Sequence, residues 1–284
     1  MISNLIRKCR KIVCFFSYDF ASKVMYFAIM KKRLNLKNPK TFNEKIQYLK
    51  LKEYRNSKLA ADCADKYAVR KYIESKNLGN YLNELYYVWD SVDDINWDEL
   101  PDSFVLKCNH GCAYNIICPD KSKLNIEDAK KKLKKWMKED FSLVTSEPHY
   151  RLIDRKIVCE KYLASKIIDY KFFCFNGVPK FLYISQGTMH VDLRVSFFEL
   201  DGTPAPFRRL DYEPLEGRFD LPDNFDEMVE ISKVLSEDFK FARIDLFSVD
   251  GNVYFSEITL TPASGMMTIS PEEYDRKLGD MIEL

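Results

Sequence analysis

Histidine is scarce in this 284-residue chain, with three in all, and none of its eight cysteines forms a Cys-x-x-Cys pair. Cys108 and Cys112 flank His110, but no second cluster completes a zinc site. Reduced, buried thiols in a cytosolic protein are therefore the expectation. Net charge is nearly absent as well: 44 basic residues stand against 43 acidic ones, which argues against a dedicated nucleic-acid binder. No apolar run is long enough to span a bilayer, because Ser17, Asp19, Ser22 and Lys23 interrupt the apolar stretch from Ile12 to Met30. The small-residue cleavage site of a secretory signal is missing too. Basic residues flank the stretch at Arg7, Lys8, Arg10, Lys11, Lys31, Lys32 and Arg33. A packed helix hairpin accounts for this pattern most simply, and peripheral contact with an anionic membrane surface is the alternative. There are no internal repeats, no low-complexity linkers and no evident Ser/His/Asp or Cys/His nucleophile.

Aromatic residues are plentiful, with 17 Tyr and 20 Phe, enough to fill a sizeable core in one or two domains. Residues up to about 75 read as helices, and Leu59 to Ile73 carries a 3.6-residue period. Asn77-Leu-Gly-Asn80 has the turn chemistry that ends it. A Lys-rich helix is expected over 125–141 with Asn125 as its N-cap, and an amphipathic helix from Phe225 to Phe239. Strands are expected at Leu85–Trp89, Phe104–Cys108, Ile116–Cys118, Ile157–Leu163, Asp169–Asn176, Lys180–Ser185 and Val195–Glu199. The strict βαβ rhythm of a parallel sheet is missing, so an α+β fold with largely antiparallel sheets fits best.

The most informative stretch is Arg243-Ile-Asp245 through Glu257-Ile-Thr259, two strands joined by a turn at Val249-Asp-Gly-Asn252. Alternation puts Arg243 and Asp245 on one face of the first strand, and Glu257 and Thr259 on one face of the second. Ile244, Leu246, Phe255 and Ile258 suit the opposite, core face. If the polar faces coincide, a guanidinium, two carboxylates and a hydroxyl converge, as proteins arrange them to hold Mg²⁺ against nucleotide phosphates. A solvated hairpin face with a cross-strand ion pair is the other reading. Lys107 ends a strand directly before the loop His110-Gly111-Cys-Ala-Tyr-Asn115, where an ammonium can reach a phosphate. Asp169 and Lys171 share a strand face, as site residues or as a simple ion pair. Lys66 and Arg70, one helical turn apart, face either the site or solvent. Arg194 is a weaker anion-binding candidate, and His110 and His190 rank low as acid–base groups.

This hairpin resembles the metal-binding signature of the ATP-grasp superfamily. The ordered set Asn38–Gln47, Asp65–Arg70, Leu100–Gly111, Asp169–Gly177 and Ser270–Gly279 resembles one branch, the Tup-type (teichuronopeptide-synthesis) ATP-grasp proteins of bacterial surface-polysaccharide clusters. The resemblance covers nearly the whole chain from about residue 19. It implies two α+β subdomains clasping ATP behind a mainly helical N-terminal region: 1–99 helical, 100–160 the small lid subdomain, 161–284 the large subdomain with the metal site. It also implies Asp245, Glu257 and Thr259 as Mg²⁺ ligands and Arg243 as the group that neutralises the transferred γ-phosphate. Lys107 would contact the α- and β-phosphates, with His110 and Gly111 in the loop that closes over the nucleotide. Glu160, Lys161, Tyr162 and Leu163 would form the adenine hinge. Asp169 would suit the ribose hydroxyls, and Lys171 a phosphate or an acceptor carboxylate. Two departures stand out: the loop has one glycine fewer than the H-G-S-G-like pattern, and Thr259 replaces the Asn of the wider superfamily.

The implied activity is Mg²⁺- and ATP-dependent carboxylate–amine ligation through an acyl phosphate. The partners would be a carboxylate-bearing and an amine-bearing small molecule, joined on a sugar or sugar nucleotide in capsule or O-antigen synthesis. A cytoplasmic bacterial location follows, with membrane-surface contact at the inner face as the variant. A phosphotransferase acting on a sugar hydroxyl, a glycosyltransferase and a non-catalytic nucleotide-binding module stay open. The glycosyltransferase has only Asp93-Asp94 as a metal motif, and these lie in an acidic loop.

Overall fold

Short runs of aromatic and β-branched residues, broken by Gly, Asn and Asp turns, produce antiparallel pairing throughout. A computed structural model describes residues 10–163, 167–186 and 193–284. His190, Arg7 and Lys8 lie outside the described residues. A four-stranded sheet is built from β1 (Leu85–Trp89), β2 (Phe104–Cys108), β3 (Asn115–Cys118) and β4 (Ile157–Lys161) in the order β1-β4-β2-β3. A five-stranded sheet holds β5 (Asp169–Phe175), β6 (Val178–Gln186), β7 (Arg194–Phe198), β9 (Phe241–Val249) and β10 (Asn252–Thr259) in the order β10-β9-β5-β6-β7. Two short strands, β8 (Arg208–Arg209) and β11 (Ile269–Ser270), pair separately. Every strand pair within these sheets is antiparallel. The α+β expectation therefore holds.

The large sheet uses its two faces differently. On one, Phe172, Ile244 and Leu246 are buried, and the helix Phe225–Ser236 packs there with the Phe172 and Phe225 rings 5.5 Å apart. On the other, strand alternation puts Phe173, Phe175 and Phe241 in line with Lys171, Arg243 and Asp245. The aromatic end of that face is covered by the helix Phe42–Tyr48, whose Phe42 ring meets Phe241 at 5.1 Å and Phe173 at 6.3 Å. The charged end is left for a cleft.

Two expectations are corrected, while the helical N-terminal region is present as expected and packs Phe42, Ile46, Leu49 and Ile73 into one core with the large sheet. The small sheet reaches past the expected boundary at 99/100, since β1 pairs with β4. The periodic run from Leu59 to Ile73 is not one helix but two, Lys58–Ala64 and Val69–Ser75. They part at Asp65, which is extended (φ −84°, ψ 117°). Its carboxylate accepts from the backbone N–H groups of Tyr67 (2.7 Å) and Ala68 (3.1 Å), offering the chain an alternative to helix continuation.

Residues 40–43 interlock with residues 267–279. Thr41 and Glu44 form a capping box that starts the helix Phe42–Tyr48. Asn43 donates to Asp275 Oδ1 (2.9 Å) and the Met267 carbonyl (2.8 Å), and accepts from Met267 N–H (2.6 Å). Gly279, in the last helix (Glu273–Asp280), lies against this helix start, where an added Cβ would come within 2.4 Å of the Lys40 carbonyl oxygen and 2.7 Å of Phe42 N. These neighbours are backbone and cannot swing aside. Gly279→Ala is therefore expected to cost ~1–3 kcal/mol by overpacking, read as a lower denaturation midpoint at unchanged m-value.

Candidate active site

The hairpin turn has Asp250 at φ 51° and Gly251 at φ 76°, the paired positive values of a type I′ turn. From it, Tyr254 pairs with Phe247 and Phe255 with Leu246. The register then slips at Ser256, and Glu257 pairs with Asp245 rather than with Ile244. This bulge resolves a conflict in the sequence, where Phe255 and Glu257 are two apart yet need opposite environments. Phe255 reaches the core, and Glu257 joins the polar face.

The next pairings extend that face. Lys171 on β5 lies opposite Asp245, and Tyr183 on β6 lies opposite Lys171. Tyr183, Lys171, Asp245 and Glu257 thus form one row across four strands. Arg243 binds Asp245 through two bonds, Nε to Oδ1 (2.7 Å) and Nη2 to Oδ2 (2.6 Å), and its Nη2 also reaches Glu257 Oε1 (3.0 Å). Asp245 is almost fully buried, and such an acid is tolerated because it is paired. Lys171 Nζ sits 3.5 Å from Asp245 Oδ2 and forms a close ion pair with Asp169. Burial lowers the Lys171 pKa, with Asp245 opposing. Burial would also raise that of Glu257, but Lys66, Arg243, the Thr259 hydroxyl and Lys171 hold it at about 2. The carboxylate is therefore ionised at neutral pH.

The small sheet supplies the opposing wall. Alternation on β2 buries Phe104, Leu106 and Cys108 and turns Val105 and Lys107 outward. Lys107 Nζ pairs with Glu160 Oε2 at 2.6 Å, and Arg70 Nη1 approaches Glu160 Oε1 at 3.8 Å. Lys107, Glu160, Lys161, Tyr162, Leu163, Asp169 and Glu257 line a single cleft of about 270 Å³ between the two sheets. Lys66 lines it too and donates to the Gly111 carbonyl (2.8 Å). Lys66 and Lys107 thus share the cleft with Glu257, whereas Asp245, Arg243 and Lys171 are not among its described lining residues.

The other expected residues take the following places. His110 is buried within the small subdomain, its Nε2 3.1 Å from the Trp136 carbonyl and its ring 5.7 Å from Tyr114, so it faces that core rather than the cleft. Gly111 acts through its carbonyl and its lack of a side chain: an added Cβ would lie 2.5 Å from the Tyr114 ring. Thr259 donates to Glu257 Oε1 (2.7 Å), which makes it a group that orients that acid. The Lys161 backbone is engaged on both sides, its N–H with Glu84 and its carbonyl with Asn83. Arg194 binds the Pro214 carbonyl and takes no part in the cleft lining. Asp169 Oδ1 is buried and has no hydrogen-bond partner among the described residues, leaving an acceptor for a ligand donor.

Sequence reading overlooked Asn83, Val105, Ile117, Ile167, Phe247 and Ser256, which also line the cleft. Two of them carried a signal: Val105 is two residues before Lys107 and Phe247 two after Asp245, so alternation puts them on the same faces. Val105, Ile117, Phe247, Ile167 and Leu163 make one part of the cleft apolar. Among the described residues, no group of three or more His, Cys, Asp or Glu could hold a metal. Asp245 and Glu257 nonetheless suit Mg²⁺, which keeps waters and substrate phosphates in its shell and takes one or two protein carboxylates.

The loop after β2 is moored by Asn109. Its Nδ2 donates to Asp65 Oδ1 (2.8 Å) and to the Asp154 carbonyl (2.8 Å), and its Oδ1 accepts from Lys156 N–H (2.7 Å). Asp65 thereby breaks the helix, turns Lys66 toward the cleft and anchors the loop that Lys66 touches. Asn109→Ala leaves the Asp65 oxygen and the Lys156 N–H short of a buried partner, and is expected to cost ~2–4 kcal/mol in chemical denaturation. Gly111→Val is expected to displace the Tyr114 ring and lower Tm by several degrees, roughly 1–3 kcal/mol of overpacking.

The sequence model described as TupA-like ATPgrasp matches residues 44–283. No curated protein matches the chain. Among solved structures, D-alanine–D-alanine ligase from Bacillus anthracis complexed with ATP is similar at 18% identity, covering 78% of this chain and 64% of that one, with a TM-score of 0.45. A second structure of that ligase gives 20% identity, 78% and 67% coverage and a TM-score of 0.49. D-alanyl-alanine synthetase A from Vibrio cholerae gives 11%, 78% and 61%, and 0.46. The chain thus spans about two thirds or less of these proteins' lengths, and the family assignment rests on the sequence match alone. With a match over 44–283, the chain belongs to the TupA-like ATPgrasp family and has the ATP-grasp fold.

Proposed function

We propose that this protein is a Mg²⁺- and ATP-dependent carboxylate–amine ligase. The observation that carries the reading is Glu257, which lines the cleft with Lys66 and Lys107 and stands in one row with Lys171 and Asp245, bridged to Asp245 by Arg243. Such a site suits a triphosphate: cations for its oxygens, and two carboxylates for a metal. Bound Mg²⁺ would be held by Asp245 and Glu257 and would neutralise charge on the β- and γ-phosphates. The Lys107 ammonium would move from Glu160 to phosphate oxygens. Val105, Ile117, Leu163 and Phe247 would enclose the base, Tyr162 and Leu163 would present backbone groups to its edge, and Asp169 Oδ1 would accept from a ribose hydroxyl.

Chemically, a carboxylate oxygen of the acceptor attacks the γ-phosphorus and ADP leaves, giving an acyl phosphate. An amine then attacks the carbonyl carbon, phosphate departs with the C–O bonding pair, and the amine proton is lost to solvent or phosphate. Arg243 would neutralise the negative charge that builds up during phosphoryl transfer. Neither step needs a covalent enzyme nucleophile, so positioning and charge neutralisation would carry the reaction. An amino acid or small amine joined to a sugar acid or aminosugar of a capsule or O-antigen is the proposed substrate class. It rests on the resemblance to Tup-type proteins.

Two measurements test the proposal. ATP at about a hundred times its Kd is expected to raise Tm by ~5 °C with Mg²⁺, and far less without it or in the Asp245→Asn/Glu257→Gln variant. No shift with any nucleotide at millimolar concentration overturns nucleotide binding. In a screen pairing sugar acids with amines, ADP release is expected to require both partners, and Arg243→Met to lower kcat by ~10²-fold or more. ADP release that needs no amine and leaves a stable phosphate ester would reassign the protein as a phosphotransferase.

A further inference from the structure

The N-terminal helices carry more exposed apolar surface than any other part of the described chain. Phe15 is 74% and Phe16 81% exposed, and Ile12, Phe20, Val24 and Phe27 are each close to half exposed or more. On the helix Tyr18–Met30, Phe20, Val24 and Phe27 follow the i, i+4, i+7 spacing of one face, while Ala21, Ser22, Met25 and Tyr26 bury the other. The inner face is fixed to the body by Ser22 to Ser146 (3.0 Å) and Tyr18 to Ser142 (2.7 Å). The helix is therefore docked with an apolar ridge pointing outward, a feature that marks an interaction site.

Charge identifies the occupant. Residues 10–40 hold eight Lys and Arg against one acid, in a chain whose total is +1. That acid, Asp19, is already paired with Lys52 (2.6 Å) and Arg55 (2.8 Å). Lys31, Lys32 and Arg33 follow the ridge directly and are exposed. Lys32 reaches Glu272, while Lys23 is exposed on the helix itself. At the other end, Lys11 pairs with Glu139 and Arg10 donates to the Val144 carbonyl (3.3 Å). These contacts bring the start of the segment beside the end of the helix Ile126–Met137, on which Lys131 and Lys135 are exposed and Lys134 pairs with Asp93 (2.6 Å). A second copy packed face to face would bring these like charges together. An anionic lipid surface takes the phenylalanines into its acyl boundary and the lysines against its headgroups.

We propose that the ridge of Phe15, Phe16, Phe20, Val24 and Phe27, with its basic border, docks the protein on the surface of an anionic phospholipid bilayer. No helix is long and apolar enough to cross a membrane among the described residues, so the contact is interfacial. It would hold the cleft beside a membrane-borne acceptor.

The test is co-sedimentation of the full chain with vesicles of equal parts phosphatidylcholine and phosphatidylglycerol, against phosphatidylcholine alone. Wild type is expected to partition about tenfold more strongly onto the anionic vesicles, and less as salt rises. Phe15→Ser/Phe16→Ser/Phe27→Ser is expected to lose binding to both, with its Mg²⁺- and ATP-induced Tm shift unchanged. Lys31→Gln/Lys32→Gln/Arg33→Gln is expected to lose only the preference for anionic lipid. Wild type left in the supernatant, or binding both vesicles equally, overturns the proposal. So does a wild-type dimer that the serine variant converts to monomer while neither binds vesicles, since a second copy would then cover the ridge.

Discussion

A single extra residue in β10 governs the chemistry of the cleft. Side chains on a strand alternate with period two, so a strand without a bulge would send Phe255 and Glu257 to the same face. The slip at Ser256 sets Glu257 opposite Asp245 while leaving Phe255 in the core. Arg243 can then bridge both acids, Thr259 can orient Glu257, and Lys171 can approach from the neighbouring strand. None of these buried or half-buried charges would be tolerable alone, because desolvating one without a partner costs several kcal/mol. Together they form a cluster in which every acid has a cation.

That cluster needs a stiff base, and the aromatic half of the same sheet face provides one. Phe42, Phe173, Phe175, Phe197 and Phe241 meet at ring separations between 5.0 and 6.3 Å. Phe42 belongs to the helix that Asn43 and Gly279 lock to the last helix of the chain. The small sheet has its own core around Leu106, Leu133 and Ile157. Asp65 and Asn109 link the two parts, joining the helix break that aims Lys66 to the loop above the cleft. The family's separate sequence segments thus have distinct mechanical tasks: one pair ties residues 40–43 to residues 267–279, another positions a lysine and its loop, and the hairpin carries the charges.

A cleft of this kind works by position and charge. The Lys107–Glu160 and Arg243–Asp245 pairs hold the cations in place without a ligand, and in the proposed reaction these partners would be exchanged for phosphates. Such exchange suits a loose phosphoryl-transfer transition state, in which charge is spread over several oxygens. The exposed phenylalanine ridge lies outside the cleft lining and forms a separate surface.

Much of this was legible in the sequence, since local rules determine local features. The type I′ turn at Asp250-Gly251, the Asn125 cap, the alternation that pairs Arg243 with Asp245 and the outward Lys107 all follow from spacing and residue type. The antiparallel α+β class followed from strand lengths and the missing βαβ rhythm. What spacing could not decide was how distant segments meet. The break at Asp65 overrode a continuous helical period because a buried carboxylate satisfied two N–H groups and an asparagine 44 residues away. His110 was drawn into the small core by Tyr114 and Trp136, and β1 left the helical region to pair with β4. The bulge at Ser256 became necessary only when Phe255 met a core and Asp245 met Arg243. Alternation and capping are properties of a few neighbouring residues, whereas register, burial and charge pairing belong to the assembled fold.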